Sequence, residues 1–345
     1  MPTSTTMQGL TTGLCSDHDH SSVIPPAFLF SNYFYDTFGE CPPFDYGRGG
    51  NPTRALLADA LTTLEGSAGA GRLSVDWVNE TDFDALRTAL EPPTDLLLVE
   101  TPSNPLLRIT DIAAAAELAH SSAGKRTVVA VDNTFCSPIL QQPLSLDADL
   151  VIASDTKFLN GHSDVIGGSV VAANQQDVDL IAFHANMMGL TASPLDSWLT
   201  LRGLRTLGVR MQAHCANAAR MVEILQSHQA VTAVYWPGLP NHPGHELAAR
   251  QQKNFESLLS FELAGGRASV EAFMTGLKGF ILAESLGGVE SLVCHPATMT
   301  HAAMSQEARD AAGVTDAMIR MSPGIDPVND LAICLSEALD RATTV

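Results

Sequence analysis

Apolar residues in the middle of the chain form short runs that are separated by alanine-rich or polar stretches. Residues 96–99 and 127–131 are rich in leucine and valine, which is typical of buried strands. The stretch 111–119 between them holds many alanines and predicts a helix, so the three segments form a strand–helix–strand unit. Two further apolar runs, 149–153 and 168–172, predict more strands. The pattern therefore predicts an α/β fold with a mostly parallel central sheet.

The pattern changes to a helical one after about residue 193. Residues 198–211 and 213–227 each continue without a proline, and a mixed region begins near residue 231. We therefore predict an N-terminal arm at 1–45, a larger domain at 46–235 and a smaller C-terminal α/β domain at 236–345.

Composition and charge narrow the classes of function. The 345-residue chain is 45% hydrophobic and carries a formal net charge of -19, which disfavours binding to nucleic acid or to an anionic membrane. The six cysteines contain no CxxC pair, and no apolar run approaches the length of a membrane helix. We expect a cytoplasmic protein without a disulfide framework.

Polar residues follow three of the predicted strands, at residues 100–105, 132–134 and 154–157. The carboxyl ends of neighbouring strands in such a sheet converge on one ligand site. A lysine there, Lys157, suits an aldehyde cofactor that bears a phosphate, which indicates pyridoxal phosphate (PLP). Asp132 could keep a pyridine nitrogen protonated, and Ser154 and Thr156 could bind phosphate oxygens. Taken singly, a lysine after a strand is usually solvated and Asp-Asn is usually a turn, but their joint occurrence favours a cofactor site.

Five stretches carry a resemblance to a known family: 46–54 (YGRGGNPTR), 100–107 (ETPSNPLL), 131–135 (VDNTF), 157–164 (KFLNGHSD) and 284–291 (ESLGGVES). In this order they resemble the Cys/Met-metabolism family of PLP-dependent enzymes, and the likeness continues through residues 295–301 to Arg320. The resemblance implies an aspartate-aminotransferase-like fold of the fold type I PLP transferases, with residues 46–235 as the PLP-binding domain.

The resemblance also implies roles for matching positions. Lys157 would attach covalently to PLP, Asp132 would pair with the pyridine nitrogen, and Ser154 and Thr156 would bind the phosphate. The residues that would bind the substrate or hold the cofactor ring are Asn104, Glu284, Ser285 and Arg320. The guanidinium of Arg320 offers a two-pronged donor for a planar carboxylate.

By the same resemblance, Tyr46 and Arg48 would reach the phosphate of a neighbouring subunit's cofactor. An active site shared between subunits would make a homo-oligomer obligatory, and we expect a homotetramer arranged as a dimer of dimers. The other expected partners are small amino-acid substrates. An Asp-His-Asp-His tract at 17–20 is interpreted as a solvated tail, so we predict no metal site.

The implied reaction is a γ-replacement in methionine biosynthesis and transsulfuration, which forms cystathionine from an O-acylhomoserine, in the first instance O-succinylhomoserine, and cysteine. The stretch 185–191, followed by Asp196 and Ser197, favours this synthesis over a lyase reaction. Two alternatives stay open. One is a cystathionine γ-lyase or β-lyase type of elimination, and the other is a non-catalytic homologue that has lost cofactor binding.

The main departure from the family follows about residue 71. Family members have a phosphate-binding loop that opens a helix and then a ring-stacking tyrosine, whereas this chain passes directly into residues 72–78. Roughly forty residues, about one strand–helix–strand unit, have no counterpart. Their loss would remove much of the phosphate cradle and expose apolar surface on the sheet.

Three explanations of this departure remain. In the first and favoured explanation, the protein contains the segment as a region that becomes ordered only when cofactor binds, and the remaining residues are numbered continuously across it. The gene may instead encode a natural deletion, or the chain may be a decayed paralogue. A smaller departure is Asp155 beside the phosphate site, which is expected to point away from Ser154 and Thr156 by alternation along an extended segment.

Overall fold

The computed structural model describes residues 22–23, 26–29, 32–38, 42–44, 46, 51–53, 76–121 and 126–343. Its first sheet has four strands, in the order β1 (Leu96–Glu100), β2 (Val128–Asp132), β3 (Leu150–Ser154) and β4 (Gly168–Ala172). The pairs β1–β2 and β2–β3 are parallel, and β4 returns antiparallel to β3. The predicted strands and their mostly parallel arrangement are therefore present.

Two helices cover one face of β1 and β2. Helix α1 (Phe83–Ala89) begins after Asp82, whose side chain accepts two backbone N–H groups and so caps the helix. Helix α2 (Ile112–Ser121) has an isoleucine and alanine face that packs against the strands. Small alanines let the helix approach the sheet closely, and this layer is the core of the larger unit.

The other face of β1 is uncovered. The side chains of Leu96 and Leu98 are 51% and 56% exposed, because alternate residues of a strand point to opposite faces. Val170 and Val171 on β4 are also about half exposed, at 47% and 52%. The sequence analysis predicted exposed apolar surface on this sheet, and these residues show it.

The second sheet has five strands in the order β5-β6-β9-β8-β7. They are β5 (Val231–Tyr235), β6 (Leu259–Leu263), β7 (Ile281–Leu282), β8 (Leu292–Cys294) and β9 (Met318–Ser322). All five residues of the central strand β9 are buried. Helices α8 (Gly266–Met274) and α10 (Val328–Ala342) contribute apolar side chains to its core.

Six more helical segments connect or flank these layers: α3 (Ser137–Leu140), α4 (Gln175–Met187), α5 (Pro194–Leu204), α6 (Leu207–Ser227), α7 (His245–Gln251) and α9 (Gln306–Ala312). None of the helices in the described ranges is long and apolar enough to cross a membrane. The two helices predicted at 198–211 and 213–227 differ from the observed ones, because the break falls at residues 205–206 and α6 runs on from there.

Helix α6 belongs to two cores. Its first half places Leu207, Met211 and Cys215 in a cluster that also holds Phe158 and Leu286. Its second half contributes to the core of the second sheet. The domain boundary was predicted at residue 235, whereas the second sheet already begins with β5 at residue 231; the division into domains itself stays a prediction.

Candidate active site

The carboxyl ends of β1, β2 and β3 meet at one edge of the first sheet, where Glu100 is in register with Asp132. A cavity of about 210 Å³ opens there. Its lining residues are Tyr46, Glu100, Pro102, Asn104, Asp132, Thr134, Phe135, Ser154, Lys157, Glu284, Ser285, Leu286, Thr300 and Arg320. A larger and more open cavity of about 720 Å³ beside α2 contains none of the predicted site residues, so the smaller cavity is the candidate site.

Lys157 lies in a tight turn, Asp155–Leu159, that follows β3 directly. Its backbone angles, φ -91° and ψ -128°, leave the helical region, which directs the side chain into the cavity wall. The side chain is buried, and its Nζ donates to Ser285 Oγ at 2.6 Å. The same Nζ is 4.2 Å from the ring centroid of Tyr46. The lysine therefore has a fixed position between a hydroxyl and an aromatic face.

Arg210 of α6 binds the backbone of this turn. Its guanidinium donates to the carbonyl of Phe158 at 2.8 Å and to that of Gly203 at 2.9 Å. Burial lowers the pKa of Arg210. Gly161, at φ +78°, lies against the guanidinium, and a Cβ there would overlap it. Sequence reasoning missed Arg210, which lies one helical turn before a second buried polar residue, His214.

The predicted substrate residues Arg320, Asn104 and Ser285 are in contact. Arg320 Nη1 donates to Asn104 Oδ1 at 3.0 Å, and Nη2 donates to the Ser285 carbonyl at 2.8 Å. Arg320 is only 3% exposed, and it lines the cavity. Ser285 has φ +83°, a left-handed conformation that is strained for a serine and is typical of functional sites. Glu284 lines the same wall.

Two carboxyl groups share the cavity with these cations. Asp132 Oδ1 accepts the N–H of Thr134 at 2.9 Å, and Glu100 Oε1 accepts the N–H of Asn104 at 2.8 Å. The cavity leaves Glu100 accessible, but surrounding protein atoms displace much of the water near its carboxyl group. This partial desolvation, together with repulsion from Asp132, raises the pKa of Glu100. Glu100 was part of a predicted motif but had no assigned role.

The predicted phosphate-binding residues are placed differently from one another. Ser154 lines the cavity, and its N–H donates to Thr134 Oγ1 at 2.9 Å. The Thr156 hydroxyl instead exchanges hydrogen bonds with the backbone of Gly167, at 3.2 Å and 3.0 Å, and is outside the lining. The physical reason is that the segment turns tightly here and does not alternate as an extended strand would. Phosphate binding by Ser154 and Thr156 stays a prediction.

Asp155 is also turned away from the cavity. Its Oδ1 accepts the hydroxyl of Ser169 on β4 at 2.7 Å, and burial raises its pKa. The expected separation of this carboxyl from the phosphate side is present, although the tight turn and not strand alternation produces it.

Tyr46 was expected to serve a neighbouring subunit, but its ring lies over Lys157 of the same chain. Bridges between Asn32 and Tyr46 and between Phe34 and Ala283 fold the arm back onto its own cavity. This contact is within one chain, and the role of Tyr46 toward a neighbouring subunit's cofactor stays a prediction. Arg48 lies outside the described residues, as do residues 17–20 and the predicted gap near residue 71.

The described lining fits PLP. The Lys157 amine can react with an aldehyde, and the Asp132 carboxylate can pair with a protonated ring nitrogen. The hydroxyls of Ser154 and Thr134 can donate hydrogen bonds to phosphate oxygens. A buried amine, a carboxylate and hydroxyls in one small cavity are the donor and acceptor set that this cofactor requires.

The chain is similar to known proteins. The sequence profile described as Cys/Met metabolism PLP-dependent enzyme matches residues 70–340. A cystathionine gamma-synthase of Escherichia coli (strain K12) is 44% identical, with 96% of both chains covered. A cystathionine beta-lyase of Lactococcus lactis subsp. cremoris (strain MG1363) is 37% identical, covering 95% of this chain and 97% of the relative.

A crystal structure of cystathionine gamma synthase from Xanthomonas oryzae pv. oryzae, in complex with cystathionine, has a TM-score of 0.77 and 44% identity, with 100% of both chains covered. The alignment with the Escherichia coli protein extends over 374 residues, which exceeds the 345 residues of this chain. That relative therefore has positions without a counterpart here, which supports the prediction of a missing segment. Because the family profile matches most of the chain and the lining of the cavity fits PLP, the chain belongs to the Cys/Met metabolism family of PLP-dependent enzymes. It has the fold type I architecture and PLP as its cofactor.

Proposed function

We propose that the enzyme is a cystathionine γ-synthase, which forms cystathionine from an O-acylhomoserine, in the first instance O-succinylhomoserine, and cysteine in methionine biosynthesis. The observation that carries the proposal is the convergence of Lys157, Asp132 and Arg320 on one cavity. The two synthases compared above are each 44% identical to the chain, whereas the compared lyase is 37% identical.

Residues of the chain have distinct roles in this proposal. When bound, PLP supplies an aldehyde that joins an amine and a ring that accepts electrons from the substrate's α-carbon. Asp132 keeps the ring nitrogen protonated, and the hydroxyl of Ser154 contacts phosphate. Tyr46 covers the lysine and limits the access of water to it.

Arg320 orients the substrate. Asn104 and the Ser285 carbonyl hold its guanidinium, so the remaining donors are pre-aligned for the planar α-carboxylate. Lys157 Nζ acts as the base that takes the α-proton and later returns a proton to the chain of the substrate. Ser285 Oγ, 2.6 Å from Nζ, keeps the amine pointed at the reacting carbons.

Product analysis distinguishes this proposal from a lyase. The PLP-loaded protein is incubated with O-succinylhomoserine and cysteine, and separately with cystathionine alone. Formation of cystathionine in the first reaction and little 2-oxo acid or ammonia in the second is expected. The reverse pattern would replace the synthase proposal by the elimination reaction.

An absorbance spectrum tests the cofactor chemistry without a substrate. A visible band that differs from free PLP is expected with the wild-type protein and should be lost in Lys157→Ala. The Lys278→Ala protein is the matched control, because Lys278 is outside the cavity lining. The absence of a band from the wild type and from both variants would indicate that the chain is a homologue that has lost cofactor binding.

We further propose that the enzyme is a homo-oligomer, a dimer of dimers with active sites shared between subunits, in the cytoplasm. Helices α4 and α5 and the loop between them leave Phe183, Met187, Leu190 and Trp198 each more than half exposed, and contiguous apolar surface of this kind is typical of subunit interfaces. The four cysteines in the described ranges are all free thiols, which supports a reducing compartment. Sedimentation equilibrium should give four times the 36.6 kDa chain mass.

A further inference from the structure

Two glutamates lie one behind the other at the carboxyl end of β1. Glu100 lines the cavity, and its Oε1 accepts the N–H of Asn104 at 2.8 Å. Glu80, just before α1, is partly buried, and its Oε2 accepts the backbone N–H of Glu100 at 3.2 Å. Glu80 has no place in the roles assigned so far.

Hydrogen bonds connect this pair to the substrate-binding arginine. Glu100 fixes the backbone of Asn104, and the side-chain oxygen of Asn104 accepts Arg320 Nη1 at 3.0 Å. A continuous path therefore runs from Glu80 through Glu100 and Asn104 to the guanidinium. A change in charge at Glu80 is therefore expected to reach Arg320 through Glu100, which interacts electrostatically with both residues.

The surroundings of the pair favour the protonated form of Glu80. Burial, followed by repulsion from Glu100, raises the pKa of Glu80 to about 7. The charged groups that face Glu100 are Asp132, which raises its pKa, and Arg320, which lowers it. Two neighbouring carboxyl groups in such a setting retain a proton near neutrality, since the second ionisation would place like charges together.

We propose that Glu80 is a positioning residue of the substrate site, whose proton limits the negative charge behind Arg320 and so favours binding of the substrate's α-carboxylate. This inference rests on the proposed role of Arg320. When Glu80 loses its proton, the incoming carboxylate meets added repulsion, and affinity falls. The effect is on binding, so KM is expected to rise with pH while kcat is largely retained.

The test compares wild type with Glu80→Gln, whose amide oxygen can still accept the Glu100 N–H but cannot ionise. Calorimetry measures binding of L-norleucine, an amino acid without a leaving group, to the PLP-loaded proteins at pH 6 and pH 8. At pH 8 the variant should bind about tenfold more tightly than wild type, and at pH 6 the two should agree within about twofold. Glu91→Gln, an exposed control beyond α1, should follow wild type at both pH values.

A ratio of affinities that is the same at both pH values would overturn the proposal, as would the absence of norleucine binding to any of the proteins. Norleucine binding with the expected pH dependence, but without cystathionine formation from the proposed substrates, would contradict only the proposed reaction. Thermal unfolding gives a second readout. Because the folded-state pKa of Glu80 is raised, wild type should lose stability relative to Glu80→Gln between pH 5 and pH 8, whereas a purely structural role gives a constant difference.

Discussion

Glu256 is a fully buried carboxyl with no evident chemical role. It lies just before β6, and neither of its side-chain oxygens has a hydrogen-bond partner in the part of the chain that the structure describes. Burial raises its pKa well above the usual range. Burial also raises the pKa values of the nearby thiols Cys136 and Cys215, the latter to about 12. Burial of Glu256 without a hydrogen-bond partner among the described residues therefore favours its uncharged, protonated form in the folded enzyme.

This carboxyl should make stability depend on pH. A folded-state pKa above the unfolded value means that the folded state holds a proton that the unfolded chain releases, so stability falls as pH rises above the unfolded pKa. Glu256→Gln, which cannot ionise, should raise Tm by about 3–6 °C at pH 8 and change it little at pH 5. Differential scanning calorimetry measures both values.

The exposed Glu337 on α10 provides the matched control. Glu337→Gln should leave the pH dependence of Tm as in wild type. If Glu256→Gln shifted Tm equally at pH 5 and pH 8, the buried carboxyl would not be the source of the pH dependence.

Residue chemistry was predictable where polar residues follow a strand or where a motif resembles a known family. Lys157, Asp132 and Arg320 were identified from the sequence, and the structure brings all three to one cavity. Arg210 and Glu80 were not identified, because their contacts are with backbone groups that only the tertiary structure brings near. Such groups leave no pattern in a single sequence.

At the scale of elements, the turn that carries Lys157 depends on a close approach by helix α5. Gly203 faces the carbonyl oxygens of Leu159 and Asn160, and a Cβ at this position would overlap the Asn160 carbonyl. Glycine is therefore required for the contact between the helix and the turn. The approach also lets Gly203 offer its carbonyl to Arg210.

Gly203→Ala should push α5 from the turn and lower the free energy of unfolding by about 1–3 kcal/mol. Weaker PLP binding should accompany this loss, because the turn positions Lys157. Gly208→Ala in α6 is the matched control, since no atom lies within 4 Å of its Cβ position. That change should be neutral or stabilise the helix by up to about 1 kcal/mol. Urea unfolding and PLP titration of both variants test this, and similar results for the two would contradict the close-approach argument.

Regular elements were easier to predict than the turn. Apolar runs with strand composition identified β1 to β4 to within a residue or two, because short runs rich in valine and leucine between polar segments are typical of strands. The tight turn at 155–159 was not predicted, since alternation along a strand was assumed there. Its backbone is set by Arg210 and by contacts with α5, which are distant in sequence.

The whole molecule has an uncovered apolar face on its first sheet, at Leu96 and Leu98 on β1 and at Val170 on β4, which the strand register places on the same face. Natural proteins cover such a face with a helix, and the segment predicted to be missing after residue 71 is expected to hold one. The same segment would supply a helix N-terminus for the cofactor phosphate.

Insertion of the Escherichia coli relative's extra segment after residue 71 should therefore strengthen PLP binding by at least about tenfold. It should also reduce binding of an apolar dye to the folded protein, since the sheet would be covered. A glycine-serine insertion of equal length is the control and should change neither property. Equal PLP affinity in the two insertion proteins would indicate that this chain binds its cofactor without the segment's help. The intact mass of the natural protein, compared with 36.6 kDa, tests separately whether it already carries the segment.

Helix α6 contributes to the cluster beneath Lys157 with its first half and to the core of the second sheet with its second half. Because one continuous helix contributes to both cores, the two cores should unfold together. Cooperative melting in one transition is the consequence, and damage to the carboxyl-terminal core would reach the cofactor pocket without any change in the pocket's own residues.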